Sequence, residues 1–166
     1  MTVIIEEVPR VRLAKPEDED EIFEICKMLH EENALFPMSE GKVRNRIKEC
    51  TEQRGGIIGV VGSPGHIEAV ICLTLGSLWY TDAWCLDEHF NYVLPNHRRS
   101  DNAKELIIFA KACAQELKLP LMIVILSNER TEAKVRLYKR QLGAPSGAFF
   151  LVGATTGQSR HAEANT

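Results

Sequence analysis

Two arginines, a lysine and a run of capping residues stand where an apolar strand gives way to an amphipathic helix. The stretch is Tyr92-Val93-Leu94-Pro95-Asn96-His97-Arg98-Arg99-Ser100-Asp101-Asn102-Ala103-Lys104. A helix start offers backbone N–H groups with no intrahelical acceptor, and the helix dipole favours an anion beside them. Arg98, Arg99 and Lys104 would add charge-assisted donors, so phosphate is the anion this chemistry suits. The plainer reading is that Ser100, Asp101 or Asn102 caps the helix while the arginines stay solvated.

Other chemistries find less support. The five cysteines (Cys26, Cys50, Cys72, Cys85, Cys113) contain no CxxC pair and fall in apolar or helical contexts. They read as reduced core thiols of a cytoplasmic protein. Cys85 could be put forward as a nucleophile, but no Cys–His arrangement accompanies it. The five histidines have no metal-ligand spacing, so no metal is expected. A net charge of −3 and a pI near 6.0 disfavour nucleic acid as the main ligand. Met1–Val8 lacks the pattern of a secretory signal, and no window reaches transmembrane length.

The elements that must position the basic stretch follow from periodicity. Val8–Leu13 alternates as a strand, and Pro16-Glu17-Asp18 signals a helix start. That helix carries Ile22, Phe23, Ile25, Cys26 and Leu29 at helical spacing. A second helix opens at Ser39, and its thin face (Val43, Ile47, Cys50) suggests a lid or edge helix. Ile57–Val61 and His66–Leu78 flank Gly62-Ser63-Pro64-Gly65 and read as a hairpin. Trp84–Leu94 is the next strand, and the helix after the basic stretch runs to Pro120. Leu121–Leu126 is a continuous apolar run, expected for a central strand covered on both faces. Thr131–Leu142 is a helix, Ala148–Val152 a last strand, and 154–166 a frayed tail. The order β-α-α-β-β-β-α-β-α-β predicts a single α/β (α+β) domain over residues 1–153. Its mixed, mostly antiparallel sheet is expected to carry helices on both faces.

This order, with Val93-x-Pro95-x-His97-Arg98-x-x-Asp101-x-Ala103, resembles the GNAT superfamily of acyl-CoA-dependent N-acetyltransferases. The family pattern is V-x-P-x-(aromatic)-R/Q-x-x-G-x-G/A, so His97 replaces the aromatic and Asp101 the first glycine. A loop with Arg-Arg-Ser in place of glycines is similar to that of bacterial and phage members. The resemblance spans about residues 10–153 and implies acetyl-CoA as co-substrate. It implies that backbone groups of Arg99, Ser100, Asp101, Asn102, Ala103 and Lys104 bind the pyrophosphate, with Arg98 beside them. It further implies that Val93 pairs through its main chain with the pantetheine arm, and that Asn128 touches the cofactor. Tyr138 matches the tyrosine that protonates the departing thiolate. Relative to the family, Asn128 and Gly143 each stand one or two residues off their usual spacing to Ala133 and Tyr138.

Direct transfer to a primary amine also needs a base, because a protonated amine has no lone pair. Alternation along Trp84–Leu94 puts Asp87, His89, Asn91 and Val93 on one face, provided no bulge intervenes. His89 is the first choice, its pKa lying near working pH, with Asp87 as the neighbour candidate. Glu88 replaces them if the register slips by one. The acceptor is expected to be a small-molecule or protein amine, with neither nucleic acid nor membrane as partner. Trp79, Tyr80 and Trp84 read as edge packing, with an acceptor pocket or homodimer contact as the alternative. The rival function is an interaction module of the same fold with weak catalysis or none.

Overall fold

The chain enters the fold as a short strand, β1 (Val11–Leu13), followed by a 3-10 turn at Pro16–Asp18. These residues belong to a computed structural model that describes residues 10–126, 131–150 and 152. The turn is pinned by Asp18, whose buried carboxylate accepts two bonds of 2.8 Å from Arg12 and one of 2.8 Å from the Lys15 N–H. Arg12 and the Lys15 N–H together hold the Asp18 carboxyl below its ordinary pKa, the arginine having the larger effect. Two helices follow, α1 (Glu19–Asn33) and α2 (Glu40–Thr51). Next come the strands β2 (Gly56–Ser63), β3 (His66–Ser77) and β4 (Trp84–Val93), and then α3 (Asn102–Leu117), β5 (Leu121–Met122) and α4 (Thr131–Leu142). Among the described residues five strands form one sheet in the order β1-β2-β3-β4-β5, antiparallel except where β5 runs parallel to β4.

Both faces of the sheet are covered, which explains why β2 and β3 are apolar at nearly every position. Ile57, Val61, Ile71 and Leu73 point to α3, where they meet Leu106, Phe109 and Cys113. Ile58, Val60, Val70 and Cys72 point the other way, onto Ile22, Ile25 and Cys26 of α1 and Ile47 and Cys50 of α2. Alternation with period 2 thus feeds two cores from one run of sequence. Gly59 is where α3 approaches most closely, because a Cβ there would lie 2.5 Å from the Phe109 ring.

Three expectations need correction. The strand expected over Leu121–Leu126 pairs only at Leu121 and Met122, and it lies at the sheet edge, not its centre. Beyond Met122 the chain diverges from β4, and Val124 and Leu126 are each 47% exposed. The last strand expected over Ala148–Val152 is not formed at Ala148–Phe150, which are exposed. With β5 only two residues long, the edge offers no extended ladder to receive another strand. The second helix does more than cover an edge, since Ile47 and Cys50 at its C-terminal half are 1% exposed and belong to the core. The Arg44 guanidinium, 3.8 Å from the Phe23 ring centroid and paired with Asp20, ties α2 to α1. Residues 154–166, expected to form a tail, lie outside the described residues. Among the described residues no helix is long and apolar enough to cross a membrane.

The Gly59–Phe109 contact can be tested. Gly59→Ala should overpack the β2–α3 interface and lower stability by about 1–3 kcal/mol. That would appear as a lower urea midpoint at an unchanged slope.

Candidate active site

One irregularity in β4 decides which side chains meet. Cys72 of β3 pairs with Phe90, but Leu73 pairs with Glu88, so His89 is an extra residue with no partner across the ladder. Such a bulge reverses the inside–outside phase of a strand. Leu86 and Val93 accordingly pack on the α3 side of the sheet, while Phe90 and Tyr92 pack on the α1 side. The face expected for Asp87, His89, Asn91 and Val93 therefore does not exist. Glu88 shares a face with Asn91 and Val93 instead, which is the register alternative weighed above.

Glu88, Asn91 and Tyr138 form a connected group. The Asn91 amide donates to Glu88 Oε1 at 2.8 Å and to the Tyr138 hydroxyl at 2.8 Å. Glu88 is 8% exposed. Burial pushes its pKa up to about 7, against the opposing pull of the Asn91 donor and of Lys134. Tyr138 is also buried, and burial, followed by the Glu88 charge, raises its pKa well above the usual phenol value. The phenol therefore keeps its proton at any ordinary pH, and its O–H is left to donate elsewhere.

His89, the first choice of base, hydrogen-bonds to none of these three. Its pKa is lowered, chiefly by burial and then by the Arg46 cation, so the imidazole is neutral near pH 7. Asp87 lines the same cavity as His89 but stands outside the Glu88–Asn91–Tyr138 group.

Two cavities flank this group. The larger, of about 640 Å³, lies between α1, α2, β4 and the segment 124–126. The smaller, of about 200 Å³, lies where β4 meets α3 and is bordered by Val93, Arg98, Ser100, Ala103 and Leu137. Asn91, Lys134 and Tyr138 line both. The gap between them is the splay of β4 from β5. The Leu94 N–H donates to the Glu68 carbonyl at 2.9 Å on the β3 side. Strand alternation then turns the Val93 main chain the other way, toward the gap. Its carbonyl there accepts from Arg98 Nε at 3.1 Å.

The basic stretch folds as a 3-10 turn (Pro95–His97) leading to α3. Ser100 Oγ donates to the His97 carbonyl at 2.6 Å and accepts from the Asn102 N–H at 3.2 Å. Asp101 occupies the N-cap position without a side-chain cap bond, so it is not a capping carboxylate. Ala103 and Lys104 follow in the first turn, where N–H groups have no helical acceptor. Ala103 borders the smaller cavity. The side chains of Arg99, Ser100, Asp101 and Lys104 are exposed, whereas that of Asn102 is fully buried and donates to Glu68 at 2.9 Å. Arg98 is not a solvated cation. It forms an ion pair with Glu32 of α1, which also accepts from the Tyr92 hydroxyl at 2.7 Å. The region therefore has a helix start whose first-turn N–H groups lack a helical acceptor, a strand edge without a β5 partner past Asp87 and one anchored arginine, a donor set of the kind that the phosphate and pantetheine parts of a coenzyme A need. Asn128 lies outside the described residues. Among those residues no cluster of three or more His, Cys, Asp or Glu side chains could hold a metal.

Periodicity could not have revealed Asn91 as the link between Glu88 and Tyr138. Residues three apart in a strand face opposite ways unless a bulge intervenes, and nothing in the sequence marks this one. Glu32 was equally hidden, since it lies 66 residues from Arg98.

The raised pKa of Glu88 has a consequence for stability. Its carboxyl binds a proton more tightly folded than unfolded, so stability should fall as pH rises from about 4.5, the unfolded value, through about 7. Glu88→Gln should flatten that fall in urea titrations across the window. Asn91→Ala should move the Glu88 titration, followed by carboxyl carbon NMR, to still higher pH, because the lost donor favoured the charged form.

No family model and no curated protein sequence matches this chain. Solved structures do match it in shape. A predicted acetyltransferase with acetyl-CoA from Clostridium acetobutylicum superposes with a TM-score of 0.69 at 12% identity, covering 86% of this chain and 94% of that one. The enzyme AAC(6')-Iy, in complex with the bisubstrate analogue CoA-S-monomethyl-acetylneamine, gives 0.66 at 12% identity, with 86% and 95% covered. A GNAT family acetyltransferase of Staphylococcus aureus gives 0.57 at 15% identity, with 86% and 96% covered. With its splayed sheet and helices on both faces, the chain has the GNAT acetyltransferase fold.

Proposed function

We propose that this protein is an N-acetyltransferase that moves an acetyl group from acetyl-CoA directly to a primary amine. The observation that carries this reading is the meeting of two cavities at one buried hydrogen-bonded group, Glu88–Asn91–Tyr138. The smaller cavity suits the cofactor and the larger one the amine, so both reactants would reach the same polar atoms. The structural neighbours that hold acetyl-CoA or a CoA analogue support this assignment.

The chemistry follows from the protonation states. Acetyl-CoA supplies an activated acyl group as a thioester. Glu88 in its charged form accepts the proton of the incoming ammonium, directly or through one water, freeing the nitrogen lone pair. The carbon–nitrogen bond forms as the carbon–sulfur bond breaks. Tyr138, still protonated, donates to the departing thiolate and regains its proton from the acylated nitrogen, which sheds its second proton directly or through water. N–H groups on the free edge of β4 near Val93 polarise the thioester carbonyl. Asn91 holds Glu88 and Tyr138 in register and moderates the pKa of the former.

A second reading has its own observation. Arg98 is already neutralised by Glu32, and Asp101 adds a negative charge where the family pattern has glycine, so the phosphate cradle has a reduced positive field. On that basis the fold would serve as an interaction module. Titration with acetyl-CoA separates the two, because a ligand stabilises the state it binds in proportion to the logarithm of its concentration over Kd. A rise in Tm that grows with acetyl-CoA is expected; a flat response at millimolar concentration would favour the module. Tyr138→Phe should slow turnover by about a hundredfold while acetyl-CoA affinity changes little. The kcat/KM profile should rise as pH passes about 7, where Glu88 becomes charged, and Glu88→Gln should lose that limb.

A further inference from the structure

The larger cavity is polarised. Its β4 wall carries Asp87 and Glu88, next to the reacting group. Its α2 wall carries Lys42 and Arg46, four residues apart and therefore on one helix face. Charges of both walls act on the imidazole of His89, which lines the same cavity from β4. After burial, which has the largest effect, Arg46 and Lys42 lower its pKa while Asp87 raises it. The rest of the lining is mostly apolar, including Leu29, Met38 and Val124, with the polar His30 and Asn33 of α1 among it. Lys42 has no ion-pair partner among the described residues. Arg46 keeps one contact with Glu49, at 3.1 Å, and a guanidinium has further N–H groups to offer. Lys134 stands at the acidic end, where its charge acts on Glu88.

The geometry points to an acceptor of one class: a small amine that carries a carboxylate at the far end of an apolar spacer. Its ammonium would lie against Asp87 and Glu88, its spacer along the apolar lining, and its carboxylate against Lys42 and Arg46. This assignment rests on the acetyltransferase reading above and specifies the substrate for it. A volume of about 640 Å³ falls in the range of small-molecule sites, which favours a compact acceptor over a folded protein surface.

The test uses straight-chain ω-amino acids of increasing length against alkylamines of equal length, with acetyl-CoA and the full chain. The ω-amino acids should show the higher kcat/KM, with an optimum at one chain length. Lys42→Gln with Arg46→Gln should reduce the ratio of kcat/KM for ω-amino acid over alkylamine about tenfold. Equal efficiency for both series, or a ratio untouched by the substitutions, would overturn this assignment and leave the acetyltransferase reading standing. Calorimetric titration of the best ω-amino acid into the protein saturated with coenzyme A separates the remaining cases. Binding without turnover would keep the pocket assignment and reject catalysis on that acceptor, whereas neither binding nor turnover would reject the pocket assignment, and turnover of the alkylamines then decides the acetyltransferase reading. Preferential acetylation of peptides over every ω-amino acid would also overturn it.

Discussion

The extra residue in β4 is the constraint on which the site depends. A strand with regular alternation would place Glu88 and Asn91 on opposite faces, and no side chain could then join Glu88 to Tyr138. By inserting His89 without a partner on β3, the chain keeps Leu86 and Glu88 on the α3 side and brings Asn91 and Val93 to the same side. The same irregularity falls where β4 parts from β5, whose pairing stops at Asp87 and Met122. One local departure from the ladder thus reorients the polar side chains beside the opening between the strands. The cost is a gap in sheet hydrogen bonding, which a bound ligand edge could satisfy.

Burial then gives the grouped residues their character. Desolvation acts on Glu88 and Tyr138 in the same direction, favouring the neutral form of each, but from different starting points. The carboxyl is moved to about 7, where it changes charge near neutrality, while the phenol is moved further from ionisation. Two acids in one pocket therefore differ in charge near neutrality, one changing its charge there and the other staying protonated. The start of α3 is arranged by the opposite strategy, with first-turn main-chain donors that have no helical acceptor. Its single anchored cation, Arg98, is held by Glu32 and by the Val93 carbonyl. That network links α1 to the loop before α3, so the first helix bears on the geometry of that loop as well as on the larger cavity.

Much of the architecture could be read from the chain. Apolar runs in β2 and β3 that keep a hidden period of 2, a turn at Ser63-Pro64-Gly65, and helical spacing in α1, α3 and α4 each express a local preference that the core then rewards. The strand-to-helix passage at Val93–Lys104 was legible for the same reason, since proline, capping residues and cations act over a few residues. Tyr138 was legible only through its place in a family pattern. The ends of the sheet were not legible. Leu121–Leu126 has the composition of a strand, yet only two residues pair, because strand length depends on whether a neighbour stays alongside. Ala148–Phe150 has no such neighbour among the described residues.

The sequence by itself determined most of the element types and the strand-to-helix passage with its cations, because those follow from spacing along the chain. Tertiary structure alone decided that Glu88 instead of His89 stands beside Tyr138, that Asn91 joins them, and that Arg98 is committed to Glu32. Each depends on the phase of a strand against its neighbour or on contacts between residues far apart in the chain. Those quantities are set by packing the whole sheet between its helices, and no short stretch of residues encodes them.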